Sequence, residues 1–338
     1  MSIKPLQSAP AAHRRQRICV IFPGALGDFV CFLPALETLL RDAHVDLFAR
    51  SEYADLVPGG VTLRSLESAE ITNLFVHDSQ RAPGVQSYFG IFDAVYSWLG
   101  SDHRGFIDRL QSFSHRRAKL FPFRPTVSVD HQADYYLRCL DAPASSGCKR
   151  VIQSSAEASA WGERFWTENS LHHKAVLTVA PGSGAREKNW PEEYFLETVR
   201  WWRSHTRGAA VLLLGPVEQE RGGVDRLRAD CLVADELRLS QAVAVLDRST
   251  LFLGNDSGIT QLAAAVGVAT VALFGPSDPH CWAPRGKRVT LVRRQMNCAP
   301  CSNDTMKSCP HRACLRELYP AELIEILIQL PELSNLTR

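Results

Sequence analysis

Short apolar runs alternate with longer amphipathic segments along most of the chain. The runs are rich in β-branched residues and end in glycine-containing turns, and the segments after them carry apolar residues at helical spacing. This alternation is typical of α/β proteins whose strands are mainly parallel. Strands are predicted at residues 18–22, 45–49, 73–76, 94–98, 175–180, 209–214, 251–253 and 268–274. Helices are predicted up to about residue 40 and at 191–204, 259–266 and 321–330, and Pro34 is expected to kink the first helix or delay its start.

Two domains are expected, because 338 residues exceed what one hydrophobic core usually organises. Each half of the chain begins with a strand, a glycine-rich turn and a helix. The pattern loosens between residues 151 and 173, where we place the boundary. We therefore predict Rossmann-like, doubly wound α/β domains at 17–165 and 174–320 that face one another across a cleft, followed by a helical segment at 321–338. Ligands of such sheets collect at the carboxyl ends of the strands.

Composition narrows the class of protein. The chain is 45% hydrophobic and 22% charged, which is ordinary for a globular protein. A net charge of +2 predicts no general affinity for nucleic acid. No apolar run approaches the roughly 18 residues of a membrane helix, and the first residues lack the apolar core of a secretory signal. We expect a cytoplasmic protein.

The sequence at 251–279 predicts an anion-binding turn. An apolar strand runs into Gly254-Asn255-Asp256-Ser257-Gly258, and a helix of small residues follows. The start of such a helix leaves several backbone N–H groups without an intrahelical partner, and the helix dipole favours negative charge there. A phosphate group is the expected ligand, although an ordinary βαβ crossover with a polar turn would have the same pattern.

Four segments at predicted strand ends carry a resemblance to a known family. They are PGALGD at 23–28, APGSGAREKNWP at 180–191, LLGPVEQER at 213–221 and GNDSG at 254–258. In this order and spacing they resemble glycosyltransferase family 9, the ADP-heptose:lipopolysaccharide heptosyltransferases, over residues 17 to about 320. The resemblance implies the GT-B fold, with an acceptor-binding N-terminal domain, a nucleotide-sugar-binding C-terminal domain and a final helix at 321–338 that packs back on the N-terminal domain. It also implies inverting transfer of heptose from ADP-heptose to a lipopolysaccharide inner-core acceptor, with peripheral contact at the cytoplasmic face of the inner membrane.

Asp28 is the candidate catalytic residue. It lies where the first glycine-rich turn enters a helix, and an inverting transfer needs a general base to take the proton of the acceptor hydroxyl. The family places its proposed base at this position, and Gly27 beside it is expected to contact the acceptor. An aspartate at a helix start can instead serve only as an N-cap.

Donor binding is expected to depend on protein groups rather than a metal, because the chain contains no Asp-x-Asp pair. Developing charge on the leaving diphosphate must then be stabilised by main-chain N–H groups and side chains. The candidates are Ser183, Gly184, Lys188, Asp256, Ser257 and Gly258. No cofactor is expected for catalysis. The resemblance assigns Lys188 to a phosphate, although it could also be a surface lysine.

At two further positions, Glu218 and Gln261, the role in donor binding has more than one interpretation. The resemblance implies that Glu218 accepts hydrogen bonds from the donor's ribose, but Glu220 lies two residues on and could take that role. Gln261 occupies a position where relatives carry a histidine that faces the donor. Glutamine donates a hydrogen bond but cannot become positively charged, so the donor's sugar is open to question.

Four cysteines near the C-terminus have the spacing C-x2-C-x7-C-x4-C. They are Cys298, Cys301, Cys309 and Cys314. Such a pattern can complete a tetrahedral four-sulfur site for structural zinc or iron. Some members of the family carry a similar segment, and its autotransporter heptosyltransferases hold iron there. The alternative is four unrelated reduced thiols.

The sequence says least about which residues bind the acceptor. Residues 101–124 hold six Lys or Arg against two Asp. Four of these cations could meet an anionic glycan, namely Arg116, Arg117, Lys119 and Arg124. A solvated basic face has the same composition. Two other functions are compatible with the sequence. One is a transferase of the same fold with another nucleotide sugar or a protein acceptor, as in autotransporter modification, and the other is a nucleotide-sugar-binding relative without turnover.

Overall fold

The computed structural model describes residues 14–76, 85–125, 130–144 and 152–334, and the description below is confined to them. Two parallel sheets organise these residues. The first has five strands, β1 to β5, at Gln16–Ile21, Ala43–Ala49, Val61–Ser65, Ala94–Ser97 and Ala118–Leu120. The second has six strands, β6 to β11, at Val176–Ala180, Ala209–Leu213, Leu232–Ala234, Leu251–Asn255, Ala269–Phe274 and Val289–Arg293.

Helices connect most successive strands, as parallel pairing requires, and a 3-10 turn at Ser51–Asp55 lies between β2 and β3. In the first part of the chain α1 to α5 span Leu26–Leu40, Ala69–Thr72, Val85–Gly90, Arg104–Phe113 and Gln132–Cys139. In the middle part α6 to α10 span Ala156–Glu168, Glu192–Thr206, Pro216–Arg221, Asp225–Asp230 and Leu239–Arg248. The last part contains α11 to α15 at Gly258–Val266, Pro279–Trp282, Asn303–Ser308, Ala313–Arg316 and Pro320–Ile328. No described helix has both the length and the apolar character to cross a bilayer.

Strand order shows where ligands can bind. The first sheet has the order β3-β2-β1-β4-β5 and the second β11-β10-β9-β6-β7-β8, with every neighbouring pair parallel. In the second sheet the chain runs outward from β6 through β7 and β8, then resumes on the other side at β9. The crevice at the carboxyl ends of β6 and β9 is therefore a topological switch point, where open α/β sheets bind ligands. Both sheets are Rossmann-like, which confirms the predicted α/β class.

The described residues divide into two compact units. One contains those of Met1–Pro23, Glu37–Ala49 and Pro58–Phe123, and the other those of Gly24–Leu36, Arg50–Val57 and Arg124–Arg338. The turn after β1 and the first part of α1 thus belong to the unit that holds the second sheet.

Each unit has its own apolar core. The first core contains buried side chains of the first sheet, such as Ile21, Phe48 and Val95. The second core surrounds strands that are buried along their whole length, for example β6 and β10. Strands buried on both faces have continuous apolar sequences, which is why the long runs at 175–180 and 268–274 were predicted correctly.

Several elements differ from the predictions. Residues 73–76 do not form a strand: α2 ends at Thr72, and the side-chain amide of Asn73 donates to the Ala69 carbonyl (2.7 Å), closing the helix. Strands β3, β5, β8 and β11 were not predicted. The helix α1 begins at Leu26 and continues through Pro34, so a delayed start is wrong.

The final helix lies where its apolar residues can be buried. Leu323 and Leu327 of α15 belong to the second core, and α15 packs against α7. Packing of this helix onto the N-terminal domain stays a prediction.

Candidate functional site

The loop that follows β6 is tied to the end of β9 by Asn255. The Asn255 side chain is fully buried, donates to the carbonyl of Pro181 (2.6 Å) and accepts from the backbone N–H of Trp190 (3.0 Å). One amide thus holds both ends of the loop at 181–190. Asn255 lies within the GNDSG segment, but no role for its side chain was predicted from the sequence.

Lys188 lies in that loop, in a short 3-10 turn at Arg186–Lys188. Its ammonium Nζ is 2.7 Å from Oδ2 of Asp256, which follows β9 directly. The Lys188 side chain is 28% exposed and that of Asp256 is 9% exposed, so the pair sits at the rim of the site rather than in open solvent. The structure therefore places Lys188, the candidate phosphate-binding residue, beside the turn that is predicted to bind phosphate.

The start of α11 follows that pair. Ser257 has an extended backbone and its hydroxyl lies 3.0 Å from that of Thr260, which donates to the Asn255 carbonyl. The N–H groups of the first turn of a helix have no intrahelical partner, and here no side chain caps them. Together with the helix dipole they provide a positive end at the switch point of the sheet.

Gly27 and Gly258 bring the starts of α1 and α11 together. A Cβ on Gly258 would lie 2.9 Å from the amide nitrogen of Gly27, and a Cβ on Gly27 would lie 3.3 Å from the Cα of Gly258. Only residues without a side chain allow this approach of the two main chains. The positive ends of two helices therefore converge on one place.

Asp28 is the third residue of α1 and is 7% exposed. Because the helix begins at Leu26, Asp28 is not its N-cap, and the capping alternative is wrong. An acidic residue in a first turn still interacts favourably with the helix dipole. A carboxylate so placed needs a hydrogen-bonding or ionic partner, which Arg124 supplies.

The Nη1 atom of Arg124 lies 2.6 Å from Oδ1 of Asp28. Burial disfavours the charged guanidinium, but the hydrogen bond and charge of Asp28 outweigh it, and the pKa of Arg124 is raised. Tyr136 lies near the pair, and burial, followed by the charge of Asp28, raises the pKa of its hydroxyl. The sequence assigned Arg124 to the basic acceptor side, whereas the structure makes it the counter-ion of the candidate base.

Arg124 and Lys188 line one pocket of about 230 Å³. Trp282 and Asp278 also line it, and residues of the cysteine-bearing segment, Pro300 to Met306, complete its wall. The two cations therefore face one space, one beside Asp28 and the other beside Asp256.

Glu218 faces a second cavity of about 610 Å³ at the ends of β6 and β7. Its Oε2 accepts from the backbone N–H of Gly215 (2.8 Å), and its Oε1 lies against Gly182, where a Cβ would come within 1.4 Å of it. Gly182 is therefore required for the position of this carboxylate. Glu220, the alternative, is exposed and does not line the cavity.

Ser183 and Gly184 occupy the start of the Lys188 loop. Ser183 is 5% exposed, and its hydroxyl donates to Oδ1 of Asn189 (2.6 Å) and the carbonyl of Ala185 (2.7 Å) within its own loop. Gly184 is exposed, and a Cβ there would meet nothing within 4 Å. Their role in donor binding stays a prediction.

Gln261 is 5% exposed and its amide is engaged. Its Nε2 donates to the carbonyl of Trp282 (2.6 Å), and its Oε1 lies 4.0 Å from Sγ of Cys31. Burial, followed by the charge of Asp28, raises the pKa of Cys31 to about 12, so this thiol is protonated at neutral pH. Gln261 thus holds the segment that carries Trp282.

Arg116 and Arg117 lie in the first unit, in the turn between α4 and β5. Arg116 adopts a left-handed backbone and is exposed. The guanidinium of Arg117 donates to the carbonyls of Gly90 (2.9 Å) and Ser114 (3.1 Å). Part of its hydrogen-bonding capacity is therefore used within its own unit, and contact with an acceptor stays a prediction for both residues.

The four cysteines do not form the expected metal site. All four are free thiols, and the described part of the chain contains no group of three or more His, Cys, Asp or Glu residues arranged to hold a metal ion. Cys301 Sγ points to the carbonyl of Cys298 (3.3 Å), Cys309 Sγ accepts from the N–H of Arg312 (3.4 Å), and Cys314 is buried in the second core. A four-sulfur zinc or iron site is therefore not supported among the described residues.

Comparison with known proteins places the chain in a family. The model of glycosyltransferase family 9 (heptosyltransferase) matches residues 108–310, more than half of the chain. Lipooligosaccharide heptosyltransferase 2 of Haemophilus influenzae is 29% identical over 132 residues, which are 36% of this chain and 38% of that protein. The chain thus spans well under half of the length of this curated relative.

Two solved structures extend the likeness over nearly the whole chain. A family 9 glycosyl transferase from Veillonella parvula has a TM-score of 0.71 at 19% identity and covers 94% of this chain and 97% of its own. The ADP-heptose lipopolysaccharide heptosyltransferase II of E. coli has a TM-score of 0.64 at 17% identity, with 95% and 98% covered. At these identities the likeness shows the GT-B fold. With the family model matching the segment that contains Lys188, Glu218 and the turn at 254–258, the chain belongs to glycosyltransferase family 9, the heptosyltransferase family.

Proposed function

We propose that the protein is an inverting glycosyltransferase that moves heptose from ADP-heptose to a lipopolysaccharide inner-core acceptor. One observation carries the proposal: the candidate base Asp28 and the cation Lys188 flank the converging starts of α1 and α11. This arrangement provides a carboxylate beside a group of positive charges that can bind a diphosphate. The names of the relatives, lipooligosaccharide and lipopolysaccharide heptosyltransferases, support the donor and the acceptor.

Asp28 acts as the general base. Its carboxylate takes the proton of the acceptor hydroxyl as that oxygen attacks the anomeric carbon of the heptose. The bond from this carbon to the diphosphate oxygen breaks on the opposite face, and its electron pair leaves with ADP. Arg124 fixes one carboxylate oxygen at 2.6 Å, which leaves the other to receive the proton.

The leaving diphosphate is stabilised by fixed positive groups. The ammonium of Lys188 approaches from the loop after β6, and the N–H groups at Ser257 and Gly258 approach from the start of α11. Asp256 holds Lys188 in place before the donor arrives, so little reorganisation is needed when charge develops. These groups perform the task that a divalent ion performs in other transferases, and we propose that catalysis is independent of metal.

The nucleoside end of the donor extends toward Glu218. Its carboxylate is oriented by the N–H of Gly215, and Glu218 lines a cavity of about 610 Å³. Hydrogen bonds from the two ribose hydroxyls to a carboxylate are charge-assisted and therefore strong. Exposure of Glu220 favours Glu218 for this role.

The acceptor binds to the N-terminal domain, predicted at 17–165, and the donor to the domain at 174–320. An anionic inner-core glycan fits the exposed basic turn at Arg116 and Arg117. Because such acceptors are anchored in a membrane, we propose that the protein works in the cytoplasm at the inner face of the inner membrane.

Gln261 favours one second candidate function, a transferase of the same fold that uses another nucleotide sugar. Its side chain is buried and neutral, so this position presents no charge to a donor. A protein acceptor, or a relative that binds a nucleotide sugar without turnover, are further alternatives within the same fold.

A donor screen tests the proposal. ADP-heptose, ADP-glucose, UDP-glucose and GDP-mannose are compared by thermal shift and by transfer to heptose-deficient lipopolysaccharide. We expect stabilisation that grows with the concentration of ADP-heptose, because a ligand that binds only the folded state stabilises it by mass action. We also expect Asp28→Asn to lose transfer while keeping donor affinity. Stabilisation by another sugar nucleotide alone would support the second candidate, and binding without transfer in the unmodified protein would support the relative without turnover.

A further inference from the structure

The segment from Trp282 to Arg285 is held by three side chains from outside it. The amide of Gln261 donates to the Trp282 carbonyl (2.6 Å), and the Nε2 atom of His131 lies 2.9 Å from the Ala283 carbonyl. The third contact is an ion pair of Arg285 with Asp134, in which Nη1 lies 2.8 Å from Oδ1. Carbonyls bound in this way fix the backbone of the segment.

The protonation of His131 is defined by its contacts. Its Nδ1 accepts from the N–H of Ala133 (3.1 Å), so the proton is on Nε2, which donates to Ala283. Burial lowers the pKa of His131 and keeps it in this neutral form. The contact to the segment is therefore a hydrogen bond from a neutral imidazole.

The ring of Trp282 faces Arg124. The Cζ atom of Arg124 lies 4.6 Å from the ring centroid, within the distance at which a guanidinium is attracted to the face of an indole. The same guanidinium is bound to Asp28 through Nη1. Arg124 is thus held between an aromatic face and a carboxylate.

We propose that Trp282 is a positioning residue, whose ring keeps the guanidinium of Arg124 on Asp28, and that Gln261 fixes this ring through the Trp282 carbonyl. The inference rests on the proposed function in one respect, the role of Asp28 as the base. An arginine side chain has many rotamers, and ordering it costs free energy. A rigid aromatic face on one side reduces that cost and holds the carboxylate in a single orientation.

This assignment gives Gln261 a role of its own. A neutral amide suffices to hold a carbonyl, and a positive charge is unnecessary for it. Gln261 then acts through Trp282 and Arg124 on the base, so its presence in place of histidine is compatible with catalysis.

A double-mutant cycle tests the coupling. Trp282→Leu removes the aromatic face, Trp282→Phe keeps one, and Arg124→Ala removes the group that the ring positions. Trp201→Leu is the matched control, because this tryptophan on α7 stacks on His205 and is not among the residues that line the pocket of Arg124 and Lys188. We expect Trp282→Leu to lower kcat about tenfold with an unchanged KM for the donor, and Trp282→Phe to restore most of the loss.

The double variant is decisive. If Trp282 acts through Arg124, kcat of the double variant equals that of Arg124→Ala alone, because the ring has nothing left to position. Losses that multiply would overturn the proposal, as would a rise in donor KM in Trp282→Leu without a change in kcat, which would mean direct contact with the donor.

A spectroscopic measurement separates this inference from the proposed function. In the NMR spectrum of the unmodified protein the side-chain protons of Arg124, assigned by their loss in Arg124→Lys, should be shifted upfield by the indole ring. The shift should vanish in Trp282→Leu and remain in Trp201→Leu. If no sugar nucleotide supports transfer, the proposed function fails while this signal still shows whether Trp282 holds Arg124. A shift that is missing in the unmodified protein, or that survives Trp282→Leu, would overturn the inference.

Discussion

Gly27 and Gly258 lie with their main chains in contact, and a Cβ on Gly258 would approach the amide nitrogen of Gly27 to 2.9 Å. Real Cβ atoms do not come so close to backbone, and backbone cannot move as easily as the end of a side chain. The start of α11 is therefore built around the absence of a side chain, and the same contact brings the turn of Asp28 to the turn of Asp256.

Gly258→Ala should destabilise the protein and lower transfer. A clash with backbone of this kind costs about 1–3 kcal/mol, and the thermal midpoint falls by about 2–4 °C for each kcal/mol in a domain of this size. Gly27→Ala should have a smaller effect, since its Cβ would lie 3.3 Å from the nearest atom. Calorimetry measures the thermal midpoints of the two variants.

The control for these alanines is Gly59→Ala, where a Cβ would meet nothing within 4 Å. It should leave the thermal midpoint within about 1 °C of the unmodified protein. Equal midpoints for Gly258→Ala and Gly59→Ala would show that the two helix starts are not in close contact.

Gly182→Ala should weaken binding of the nucleotide. The added methyl group would occupy the place of the Glu218 Oε1 atom, 1.4 Å away, and would displace the carboxylate from its position. A displaced carboxylate loses its charge-assisted hydrogen bonds to ribose, which are worth about 1.5–3 kcal/mol each, so ADP should bind at least about tenfold more weakly. Isothermal titration calorimetry with ADP measures the change.

Two matched variants define that result. Glu218→Gln should weaken ADP binding in the same way, and Glu220→Gln should leave it unchanged. Gly59→Ala, which adds a methyl group in open space in the first unit, is the control for a glycine substitution. If Glu220→Gln has the larger effect, the ribose role belongs to Glu220.

The sequence predicted the elements whose patterns are local. Strands β6, β9 and β10 are buried along their length, so their apolar runs were visible. Strand β3 was missed because it lies at an edge of the first sheet, and none of its residues is fully buried. The segment at 73–76 has strand-like residues, but its Leu74 packs beside Ile71 at helical spacing.

The candidate site was predictable only in part. The turn at 254–258 and Asp28 were singled out because they lie at glycine-rich turns after predicted strands, and Lys188 was assigned by the family resemblance; the roles of all three stay predictions. The pairing of Arg124 with Asp28 was not, since 96 positions (124 − 28) separate the two residues and no local pattern links them. The metal site was predicted from the cysteine spacing and from the family resemblance, and neither shows that Cys314 is buried in the second core.

Lys188→Met should reduce kcat/KM about 10²–10³-fold. The substitution removes the charge that stabilises the leaving diphosphate and keeps the length of the side chain. It also leaves Asp256, whose side chain is 9% exposed, without its ionic partner. Steady-state transfer kinetics measure the loss, with Lys174→Met, at an exposed lysine, as the control. A loss below about threefold would remove Lys188 from the chemistry.

Chelation should leave the transfer rate unchanged. If Lys188 and the start of α11 carry the charge stabilisation, EDTA in excess has no ion to remove from the reacting groups. The measurement is the transfer rate after dialysis against EDTA and again after addition of Mg²⁺ or Mn²⁺. A rate that falls with EDTA and recovers with either ion would show that the diphosphate is bound through a metal.

His131 should make the stability of the second unit depend on pH. Burial lowers its pKa in the folded state below the usual 6.5, although Asp134 and the Ala283 carbonyl oppose part of this shift. The unfolded chain therefore binds a proton at higher pH than the folded protein does, and stability present above about pH 6.5 is lost as the pH falls through the folded pKa. Protonation of Nδ1 also removes the acceptor of the Ala133 N–H.

His131→Asn keeps an acceptor at this helix start and cannot titrate, so its thermal midpoint should fall less steeply than that of the unmodified protein between about pH 7 and 5. His173→Asn, at an exposed histidine, should retain the original slope. Equal slopes for His131→Asn and the unmodified protein would mean that burial does not lower the pKa of His131 in the folded state.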